Sequence, residues 1–496
     1  MITPLLPTPC AYPVWRREGI RALEARLQAP SATPLMDLAG LATARLALAI
    51  APHACQIWIV AGPGNNGGDG LEAALHLHRW GKNVQVSLLG DLQSLPPDAH
   101  RAWTRAQQAG VSIETALPAS PPELCAQDLC IDALLGIGAT RAPKGPLLQA
   151  IDWMNASPAT VLAIDIPTGL DADSGQALGT PRALVRAHHT LTMLGGKPGL
   201  FMGQGRDACG RLWLAPLGRH TGALLAPPPD AELNSPAMPT PRWHASHKGS
   251  HGDVAIVGGE SLSARGMGMT GAALLAAEAA LHAGAGRVLL CLLGQDGFAS
   301  ASADLMRRDL DALDLPQLTV VAGCGGGRAI AAPLGRLLQH SARLVLDADA
   351  LNCVAQDPWM QRLLTERATR QQTTVLTPHP LEAARLLGLD TAQVQADRLE
   401  AAHQLALRFD CCVVLKGSGT VIAAPEQVPR INTTGNGRLA TGGTGDVLAG
   451  LIGARLARHG DGWPAACEAV WTHGKLADRW PEEQALTASR LAEQLT

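Results

Sequence analysis

Short apolar runs that end in glycine-rich turns recur along the chain, and Ala/Leu-rich amphipathic stretches follow them. The first half contains the runs QIWIVAG, NVQVSLLG, LCIDALLG and TVLAIDIPTG. The second half contains DVAIVGG, RVLLCLL, LTVVAG, RLVLDADAL, TTVLTPHP and CCVVLKGSG. Apolar runs bounded by glycine predict buried strands, and their alternation with helical stretches predicts parallel sheets covered by helices. The pattern therefore predicts two α/β domains.

A proline-rich segment separates the two halves. Residues 216–241 include three consecutive prolines at 227–229 and further prolines at Pro236, Pro239 and Pro241. Proline lacks a backbone donor and restricts its neighbours, so this segment is a poor helix or strand and a good linker. We predict a first domain at residues 1–222, a linker at 223–241 and a second domain at 242–496.

Composition narrows the class of protein. Apolar residues make up 47% of the 496 residues and charged residues 17%, which excludes disorder for most of the chain. The net charge of -3 predicts no nucleic-acid partner, and the lack of a long uninterrupted apolar run predicts no membrane segment. Eleven cysteines without a CxxC pair, with Cys411 and Cys412 together inside an apolar run, predict buried, reduced thiols in a cytoplasmic protein, as does a start without a signal-peptide pattern. Only six of the 40 basic residues are lysines, which draws attention to each lysine.

The glycine turn of the first half, GPGNNGGDG at 62–70, follows a predicted strand and opens a predicted helix. It satisfies GxGxxG, and Asp91 lies where a dinucleotide fold would hold a ribose, so a dehydrogenase is a competing interpretation. Asp69, however, would put a carboxylate beside a pyrophosphate that binds bare helix amides. Asn65, Asn66 and Asp69 instead offer oxygen ligands and hydrogen-bonding groups. A helix-capping role for Asp69 is the structural alternative.

Polar residues also lie at two later strand ends. Asp132 opens DALLGIG, and Asp165 and Thr168 lie in DIPTG. Ligands of open parallel sheets bind beyond the carboxyl ends of the strands, so we expect these side chains to share one crevice. Hard oxygen ligands suit an alkali or alkaline-earth cation. Each aspartate could also be only a cap or turn residue.

The order GPGNNGGDG, DALLGIG, DIPTG resembles the NAD(P)H-hydrate epimerase family, the YjeF N-terminal domain, over roughly residues 12–215. The resemblance implies a Rossmann-like three-layer α/β domain, with Asp165 as the catalytic acid/base. It implies a K⁺ ion at Asn66, Asp132 and Thr168, although the family usually has Ser where Thr168 stands. It implies substrate contacts from Asn65, Asn66, Gly67, Gly68, Asp69, Gly136, Ile137, Gly138, Ala139, Thr140, Arg141, Ala142 and Asp165.

The second half carries a glycine-rich helix start, NTTGNGRLATGGTGD at 432–446. The glycines free backbone amides to hold an anion, and the helix dipole helps. Asp446 at this point suits proton transfer beside a transferring phosphoryl group. Lys416 in KGSGT, at a predicted strand end, suits nucleotide phosphates, and the chain has no P-loop. The alternative is an ordinary helix start with Asp446 as its N-terminal acid.

These motifs, with GCGGG at 323–327 and LDADALN at 346–352, resemble the ADP-dependent NAD(P)H-hydrate dehydratase family over roughly residues 240–490. The resemblance implies a ribokinase-like fold, with Asp446 as the base. It implies ADP contacts from Lys416, Gly417, Ser418, Gly419, Thr420 and Gly445. It implies hydrate contacts from Ala272, Gly325, His379 and Asp446. Mg²⁺ is expected for phosphoryl transfer by charge, without a readable ligand set.

The two resemblances together predict a repair enzyme for damaged nicotinamide cofactors. Its partners would be NAD(P)H hydrates and ADP, and we expect a homo-oligomer. The first domain would interconvert the R and S hydrates, and the second would dehydrate the S hydrate to NAD(P)H, releasing AMP and phosphate. Two alternatives remain. A ribokinase-type kinase would phosphorylate a stable alcohol with the same helix start, and a metabolite-binding scaffold would bind nucleotides without turnover.

Overall fold

The computed structural model describes residues 2–8, 10–27, 33–217, 227–236, 243–294 and 302–495. The chain divides into two compact units. The first comprises Met1–Thr8 and Tyr12–Ala231, and the second comprises Pro9–Ala11 and Glu232–Thr496. The main division thus falls inside the segment 223–241, of which residues 223–226 and 237–241 lie outside the described part of the chain.

The first unit is an α/β fold. Its strands are β1 (Thr3–Pro4), β2 (Tyr12–Val14), β3 (Ile57–Ala61), β4 (Val84–Leu88), β5 (Ser112–Glu114), β6 (Leu129–Ala133), β7 (Thr160–Ile164), β8 (His189–Met193) and β9 (Arg211–Ala215). Its helices are α1 (Arg17–Leu27), α2 (Leu35–Ile50), α3 (Asn65–Arg79), α4 (Pro97–Gln108), α5 (Pro146–Ala156) and α6 (Gly205–Ala208).

Eight of these strands form one sheet among the described residues, in the order β1-β9-β8-β7-β6-β3-β4-β5. The pairs from β9 through to β5 are parallel, and β1 is antiparallel to β9. Beginning at β3, the chain adds strands first toward β5 and then, from β6, in the opposite direction. This reversal is the Rossmann-like arrangement, and it leaves a crevice between the carboxyl ends of β3 and β6.

Local sequence explains this crevice. All five residues of β3 and all five of β6 are buried, as expected for central strands of a parallel sheet. Gly62, directly after β3, lies so close to the backbone beyond β6 that a Cβ there would be 1.8 Å from the carbonyl oxygen of Leu134. Glycine at this position therefore lets the ends of the two strands approach each other.

The second unit is also an α/β fold. Its strands are β10 (Ala231–Leu233), β11 (Asp253–Gly258), β12 (Arg287–Leu292), β13 (Met306–Arg307), β14 (Thr319–Ala322), β15 (Arg343–Leu346), β16 (Thr373–Leu376), β17 (Cys412–Leu415), β18 (Val421–Ala423) and β19 (Arg430–Ile431). Its helices are α7 (Leu262–Arg265), α8 (Thr270–His282), α9 (Ala331–His340), α10 (Ala348–Gln356), α11 (Pro358–Thr369), α12 (Pro380–Leu387), α13 (Thr391–Ala396), α14 (Arg398–Phe409), α15 (Thr444–His459), α16 (Gly462–Asp478) and α17 (Ala488–Glu493).

The sheet of the second unit has the order β13-β12-β11-β14-β15-β16-β17-β18-β19-β10. The strands β13 through β17 are parallel, whereas β18 is antiparallel to both β17 and β19. Helices α8 and α15 approach closely, because a Cβ on Gly450 would lie 2.0 Å from the carbonyl oxygen of Ala276. Small residues on both helices therefore let their backbones approach closely.

The proline-rich segment differs from its prediction at one point. Residues Ala231–Leu233 form β10, which pairs in parallel with β19, although the proline content favoured a segment without strands. The physical reason is local. The tripeptide lies between Pro229 and Pro236 and contains no proline, so its backbone donors remain available for pairing.

The cysteines and the helices can be compared with what the composition predicted. No disulfide is present among the described residues, and Cys411 and Cys412 are buried as predicted. Three other cysteines, Cys10, Cys55 and Cys125, are exposed, so the prediction of buried thiols is wrong for these three. Within the described ranges, each helix is too short or too polar to span a bilayer.

Candidate active sites

A cavity of about 490 Å³ lies beyond the carboxyl ends of β3, β6 and β7 in the first unit. The predicted site residues that line it are Asn65, Asn66, Asp69, Gly136, Ile137, Gly138, Ala139 and Asp165. Arg21 and Glu24 from α1 and Asp98 from α4 also contribute to its wall. The strand-end residues therefore converge on one crevice, as the sheet topology requires.

Asn66 is a buried amide without a partner. It is the second residue of α3 and is 8% exposed, and both its Oδ1 and its Nδ2 lack a hydrogen-bond partner. A Cβ placed on Gly136 would lie 3.3 Å from Asn66 Oδ1 and 3.1 Å from Asp165 Oδ2, so both oxygens face the same loop. A buried polar group without a partner costs free energy. Asn66 is therefore suited to an additional ligand such as a cation.

Asp132, in β6, and Thr168, after β7, form a second cluster of polar groups. Both are fully buried, and Thr168 donates from Oγ1 to Asp132 Oδ1 at 2.7 Å and from its backbone N–H to Asp132 Oδ2 at 2.8 Å. Burial raises the pKa of Asp132 to about 6, against the effect of these hydrogen bonds. The backbone N–H of Leu135 donates to Thr168 Oγ1 at 3.0 Å, which ties this cluster to the loop after β6.

Asp165 follows β7 directly and has an unusual backbone. Its φ of 67° is in the left-handed region, which costs a non-glycine residue about 1–3 kcal/mol and is concentrated at functional sites. Its Oδ2 accepts a hydrogen bond from the backbone N–H of Ile137 at 3.0 Å, and its Oδ1 accepts one from Lys197 Nζ at 2.6 Å. Both oxygens of this carboxylate are thus held in place.

Asp69 lies one turn into α3, and the helix N-cap is Gly64, so the capping interpretation of Asp69 is wrong. Burial raises the pKa of Asp69 well above its usual range, and the nearby carboxylates of Asp165 and Glu24 raise it further. The exposed Asp91, the acid of the dehydrogenase interpretation, accepts a hydrogen bond from the backbone N–H of Gln93 and caps a short 3₁₀ turn.

Five of the residues predicted to contact the substrate of the first unit are not part of the cavity lining. A Cβ on Gly67 would be 2.0 Å from the carbonyl oxygen of Gly62, and one on Gly68 would be 2.5 Å from the Met36 methyl group. These two glycines therefore serve close packing behind the cavity wall. The other three, Thr140, Arg141 and Ala142, follow the cavity-lining part of the loop, with Thr140 and Arg141 exposed.

The second unit places its candidate base at the start of a long helix. The turn before α15 contains Gly443 with a φ of 92°, and Thr444, Gly445 and Asp446 form the first helical turn. Lys416, directly after β17, points to the same place, since a Cβ on Gly445 would lie 3.6 Å from Lys416 Nζ. Backbone amides, a helix dipole and an ammonium group therefore surround one point, which suits a phosphate group.

Asp446 is close to two other ligand-bearing side chains. Atoms of Cys324, Asp347 and Asp446 lie within 4.8 Å of one another, at the ends of β14 and β15 and the start of α15. Burial and, next in size, the Asp347 carboxylate together raise the pKa of Asp446 to about 7. A hydrogen bond from Cys324 and the charge of Lys416 act in the opposite direction. Asp446 is therefore poised to exchange a proton near neutral pH.

Hydrogen bonds within the turn and from a buried arginine stabilise the predicted nucleotide-binding turn after β17. Gly417 and Gly419 have φ values of 139° and 66°, and the Thr420 hydroxyl donates to the carbonyl oxygen of Gly417 at 3.1 Å. The guanidinium group of Arg398 is buried and donates to the carbonyl oxygens of Lys416 and Gly419 at 3.3 Å. Ser418 is exposed at the tip of this turn.

Two of the predicted hydrate contacts lie side by side. A Cβ on Gly325, whose φ is 58°, would be 2.8 Å from the Cβ of Ala272. His379 has a structural role in addition to any binding role, because it caps α12. Its Nδ1 accepts hydrogen bonds from the backbone N–H groups of Leu381 and Glu382. Its ring is 45% exposed and also pairs with Glu382.

Three residues in contact with these sites were absent from the predicted set. Lys197 contacts Asp165, Asp347 accepts a hydrogen bond from Lys416 Nζ at 2.6 Å, and Arg398 supports the nucleotide turn. The scarcity of lysine and the motif LDADALN were signals for the first two. Arg398 lies in an ordinary helical pattern and gave no signal.

Comparison with known proteins supports this organisation. Residues 32–199 match the family model of the YjeF-related protein N-terminus, and residues 254–496 match that of NAD(P)H-hydrate dehydratase. The bifunctional NAD(P)H-hydrate repair enzyme Nnr of Escherichia coli (strain K12) is 34% identical over 487 residues, covering 95% of this chain and 90% of the relative. The Nnr of Coxiella burnetii is 35% identical over 488 residues, covering 95% of each.

Solved structures are also similar to part of the chain, and one of them is a dehydratase. The ADP/ATP-dependent NAD(P)H-hydrate dehydratase of Bacillus subtilis, co-crystallised with ATP and Mg²⁺, is 29% identical with a TM-score of 0.43. The match covers 51% of this chain and 91% of that chain.

Two α/β units, each with its own candidate acid/base carboxylate and each matching a different enzyme family model, define the class of the protein as a bifunctional enzyme. The chain belongs to the family of bifunctional NAD(P)H-hydrate repair enzymes, which combine an epimerase domain and a dehydratase domain. Both resemblances drawn from the sequence motifs are thereby confirmed.

Proposed function

We propose that this chain performs both reactions of its family, each in its own unit. The first unit interconverts the R and S hydrates of NADH and NADPH, and the second dehydrates the S hydrate at the expense of ADP. The observation that carries this proposal is that each unit holds a candidate acid/base carboxylate that is part of, or lies next to, a lysine–carboxylate ion pair. These pairs are Lys197–Asp165 in the first unit and Lys416–Asp347, next to Asp446, in the second.

In the first unit, the substrate is a reduced nicotinamide ring that carries a hydroxyl group on the carbon next to the ring nitrogen. Inversion of that carbon requires one of its bonds to break and to re-form on the other face, and a proton moves at the hydroxyl oxygen. Asp165, with its Oδ2 at the cavity wall beside Ile137, is positioned to take and return that proton. Asn65, Asn66, Asp69 and residues 136–142 are the proposed substrate contacts.

A K⁺ ion is the proposed cofactor of the first unit, held by Asn66, Asp132 and Thr168. The fit rests on chemistry, because all three offer oxygen atoms and the amide of Asn66 is buried without a partner. A bound cation would supply positive charge where the substrate oxygen becomes negative. Binding of the cation would also hold Asn66 and the loop after β6 in position.

In the second unit, hydroxide is too poor a leaving group for direct loss from the hydrate. ADP therefore transfers its terminal phosphoryl group to the hydroxyl oxygen, and AMP leaves. Asp446 accepts the hydroxyl proton as the O–P bond forms, and the amides of residues 443–446 balance the phosphate charge. Phosphate then leaves with the electrons of the C–O bond, and the neighbouring ring carbon loses a proton, which restores the double bond.

Nucleotide and hydrate contacts follow from the same arrangement. We propose that ADP contacts Lys416–Thr420 and Gly445, where an ammonium group and a helix start meet. Ala272, Gly325 and His379 are the proposed contacts of the hydrate. Ala272 and Gly325 are adjacent, so both can contribute to the same contact surface.

Mg²⁺ is expected with the nucleotide, and the described residues do not form a resident site for it. The trio Cys324, Asp347 and Asp446 includes a thiol, which is a soft ligand, whereas Mg²⁺ prefers oxygen. Lys416 already occupies one oxygen of Asp347. We therefore propose that Mg²⁺ enters with ADP, bound mainly by phosphate oxygens.

The decisive experiment follows the absorbance of NADH after NADH hydrate and ADP are added to the protein. We expect the whole R and S mixture to return to NADH, and we expect only the S fraction to return with Asp165→Asn. If wild-type protein did not restore NADH, this result would contradict the proposed dehydratase activity. Accumulation of a phosphorylated stable alcohol would favour the kinase alternative, and nucleotide binding without turnover would favour the scaffold.

Location and assembly are further proposals. The low net charge and the unpaired cysteines of the described part support a cytoplasmic protein without nucleic-acid or membrane partners. We propose a homo-oligomer, which light scattering after size-exclusion chromatography would test. A monomeric mass would contradict it.

A further inference from the structure

Lys197 is a fully buried charged group near the first cavity. Its side chain is 0% exposed, and it does not line the cavity. A buried ammonium group is unfavourable unless it is paired and hydrogen-bonded. Lys197 meets this condition with three acceptors: Asp165 Oδ1 at 2.6 Å, Thr192 Oγ1 at 2.8 Å and the carbonyl oxygen of Met193 at 3.0 Å.

The loop that carries Lys197 is fixed by close packing. A Cβ on Gly195 would lie 2.7 Å from the ring of Trp15, and one on Gly196 would lie 2.9 Å from the side chain of Val14. On the other side of the lysine, a Cβ on Gly199 would lie 2.2 Å from the carbonyl oxygen of Asp171. The glycines of GGKPG therefore let this loop pack tightly. From this loop the side chain of Lys197 reaches Asp165.

The ion pair acts on one oxygen of Asp165 only. Lys197, which does not line the cavity, donates to Oδ1. Oδ2 lies at the cavity wall, where it accepts a hydrogen bond from the backbone N–H of Ile137. Glu24 and Asp69 also line this cavity and repel negative charge on Asp165, and Arg21 is the lining cation. Without Lys197, the carboxylate would keep the hydrogen bond from Ile137 but would lose the group that fixes Oδ1, and it would still face the like charges of the cavity wall.

We propose that Lys197 is a positioning residue of the epimerase site, which keeps the Asp165 carboxylate turned toward the hydroxyl group of the hydrate. This inference rests on the proposed epimerase function. Lys197 does not touch the substrate. Its action passes through Asp165, and Thr192 and Met193 hold its ammonium group in place.

The test uses the full chain and measures R-to-S epimerisation, with ADP-dependent dehydration of the S hydrate as an internal control for folding. Lys197→Met is expected to lower kcat for epimerisation by about 10²-fold, within the range for a disabled acid/base group. It is expected to leave KM for the hydrate within about twofold, because Lys197 lies outside the cavity lining. A loss of binding through general damage to the cavity would instead raise KM.

A second pair of variants guards against misfolding of a chain without the buried lysine. Thr192→Val keeps the shape of a fully buried side chain but removes an acceptor of Lys197, and Thr192→Ser restores the hydroxyl group. We expect kcat for epimerisation to fall about 10-fold in the first and to recover in the second. Lys82→Met is the matched control, since Lys82 Nζ donates to the backbone oxygens of Pro52 and Ala54 and Lys82 does not line the cavity.

The outcomes separate the two proposals. Epimerisation absent from wild-type protein would overturn the epimerase function itself. Active wild-type protein with unchanged kcat in both Lys197→Met and Thr192→Val would overturn the role of Lys197 alone. A rise in KM with unchanged kcat would also overturn it.

Discussion

Thr168 gives both its hydroxyl hydrogen and its backbone N–H to the carboxylate of Asp132, at 2.7 and 2.8 Å. The two residues are separated by 36 positions in the chain and are fully buried. This contact joins the end of β6 to the loop after β7. It therefore fixes the two sides of the first cavity relative to each other.

Thr168→Val should destabilise the protein. The valine keeps the shape but leaves a buried carboxylate oxygen without its hydroxyl donor, at a cost of about 1–3 kcal/mol. Urea unfolding followed by fluorescence measures this as a lower midpoint. Thr168→Ser, which retains the hydroxyl group, should lie close to wild type. Equal midpoints for valine and wild type would contradict the prediction.

K⁺ should stabilise the protein through Asn66. An ion that binds only the folded chain adds about 2.7 kcal/mol at a concentration of about 100 Kd. Thermal unfolding in KCl should therefore give a higher Tm than in choline chloride of the same ionic strength. Asn66→Ala removes the buried, unpartnered amide and should abolish the difference. The same gain in wild type and variant would place the ion elsewhere.

Asp446→Asn should separate the two activities. The amide cannot accept the hydroxyl proton, so ADP-dependent dehydration should fall by about 10²- to 10⁴-fold. Epimerisation should keep its wild-type rate, because Asp446 belongs to the other unit. Both rates are measured on the same preparation, by NADH absorbance and by chromatography of the two hydrates. Loss of both activities together would contradict separate sites.

Dehydration should depend on pH through Asp446. A base works in its ionised form, and burial and Asp347 raise the pKa of Asp446 to about 7, so kcat/KM should rise as pH increases through about 7. Asp347 and Asp349 raise this pKa, whereas Cys324 and Lys416 lower it. Cys324→Ala removes a hydrogen bond that lowers it, so the midpoint of the rise should move to higher pH.

The pH experiment has a matched control in Cys353, a partly exposed cysteine on α10. Cys353→Ala should leave the midpoint of the kcat/KM profile unchanged. A midpoint that moves to lower pH in Cys324→Ala, or a flat profile in wild type, would count against Asp446 as the base.

The local parts of both sites could be predicted from sequence. Apolar runs that end in glycine located β3, β7 and β17, and the residues after them do carry the polar groups. The starts of α3 and α15 also follow from glycine-rich turns. These features depend on neighbours along the chain, so the order of residues determines them directly.

The long-range partners could not be predicted. Lys197 meets Asp165 across 32 positions, and Lys416 meets Asp347 across 69. Which strand ends face each other depends on sheet order, and a single sequence does not contain that order in its periodicity. The scarcity of lysine directed attention to both lysines without naming their partners.

The short strand β10 bears on where the dehydratase unit can be cut from the chain for separate expression. A fragment beginning at residue 242 would lose β10 and leave β19 as an unpaired edge open to association between molecules. It would also lose Asn234, whose side-chain amide donates to Asn432 Oδ1 and to the carbonyl oxygen of Cys467. Asn432 in turn donates to Thr434, at the beginning of the loop that leads to Asp446. A fragment intended for kinetic work therefore needs to begin before Ala231.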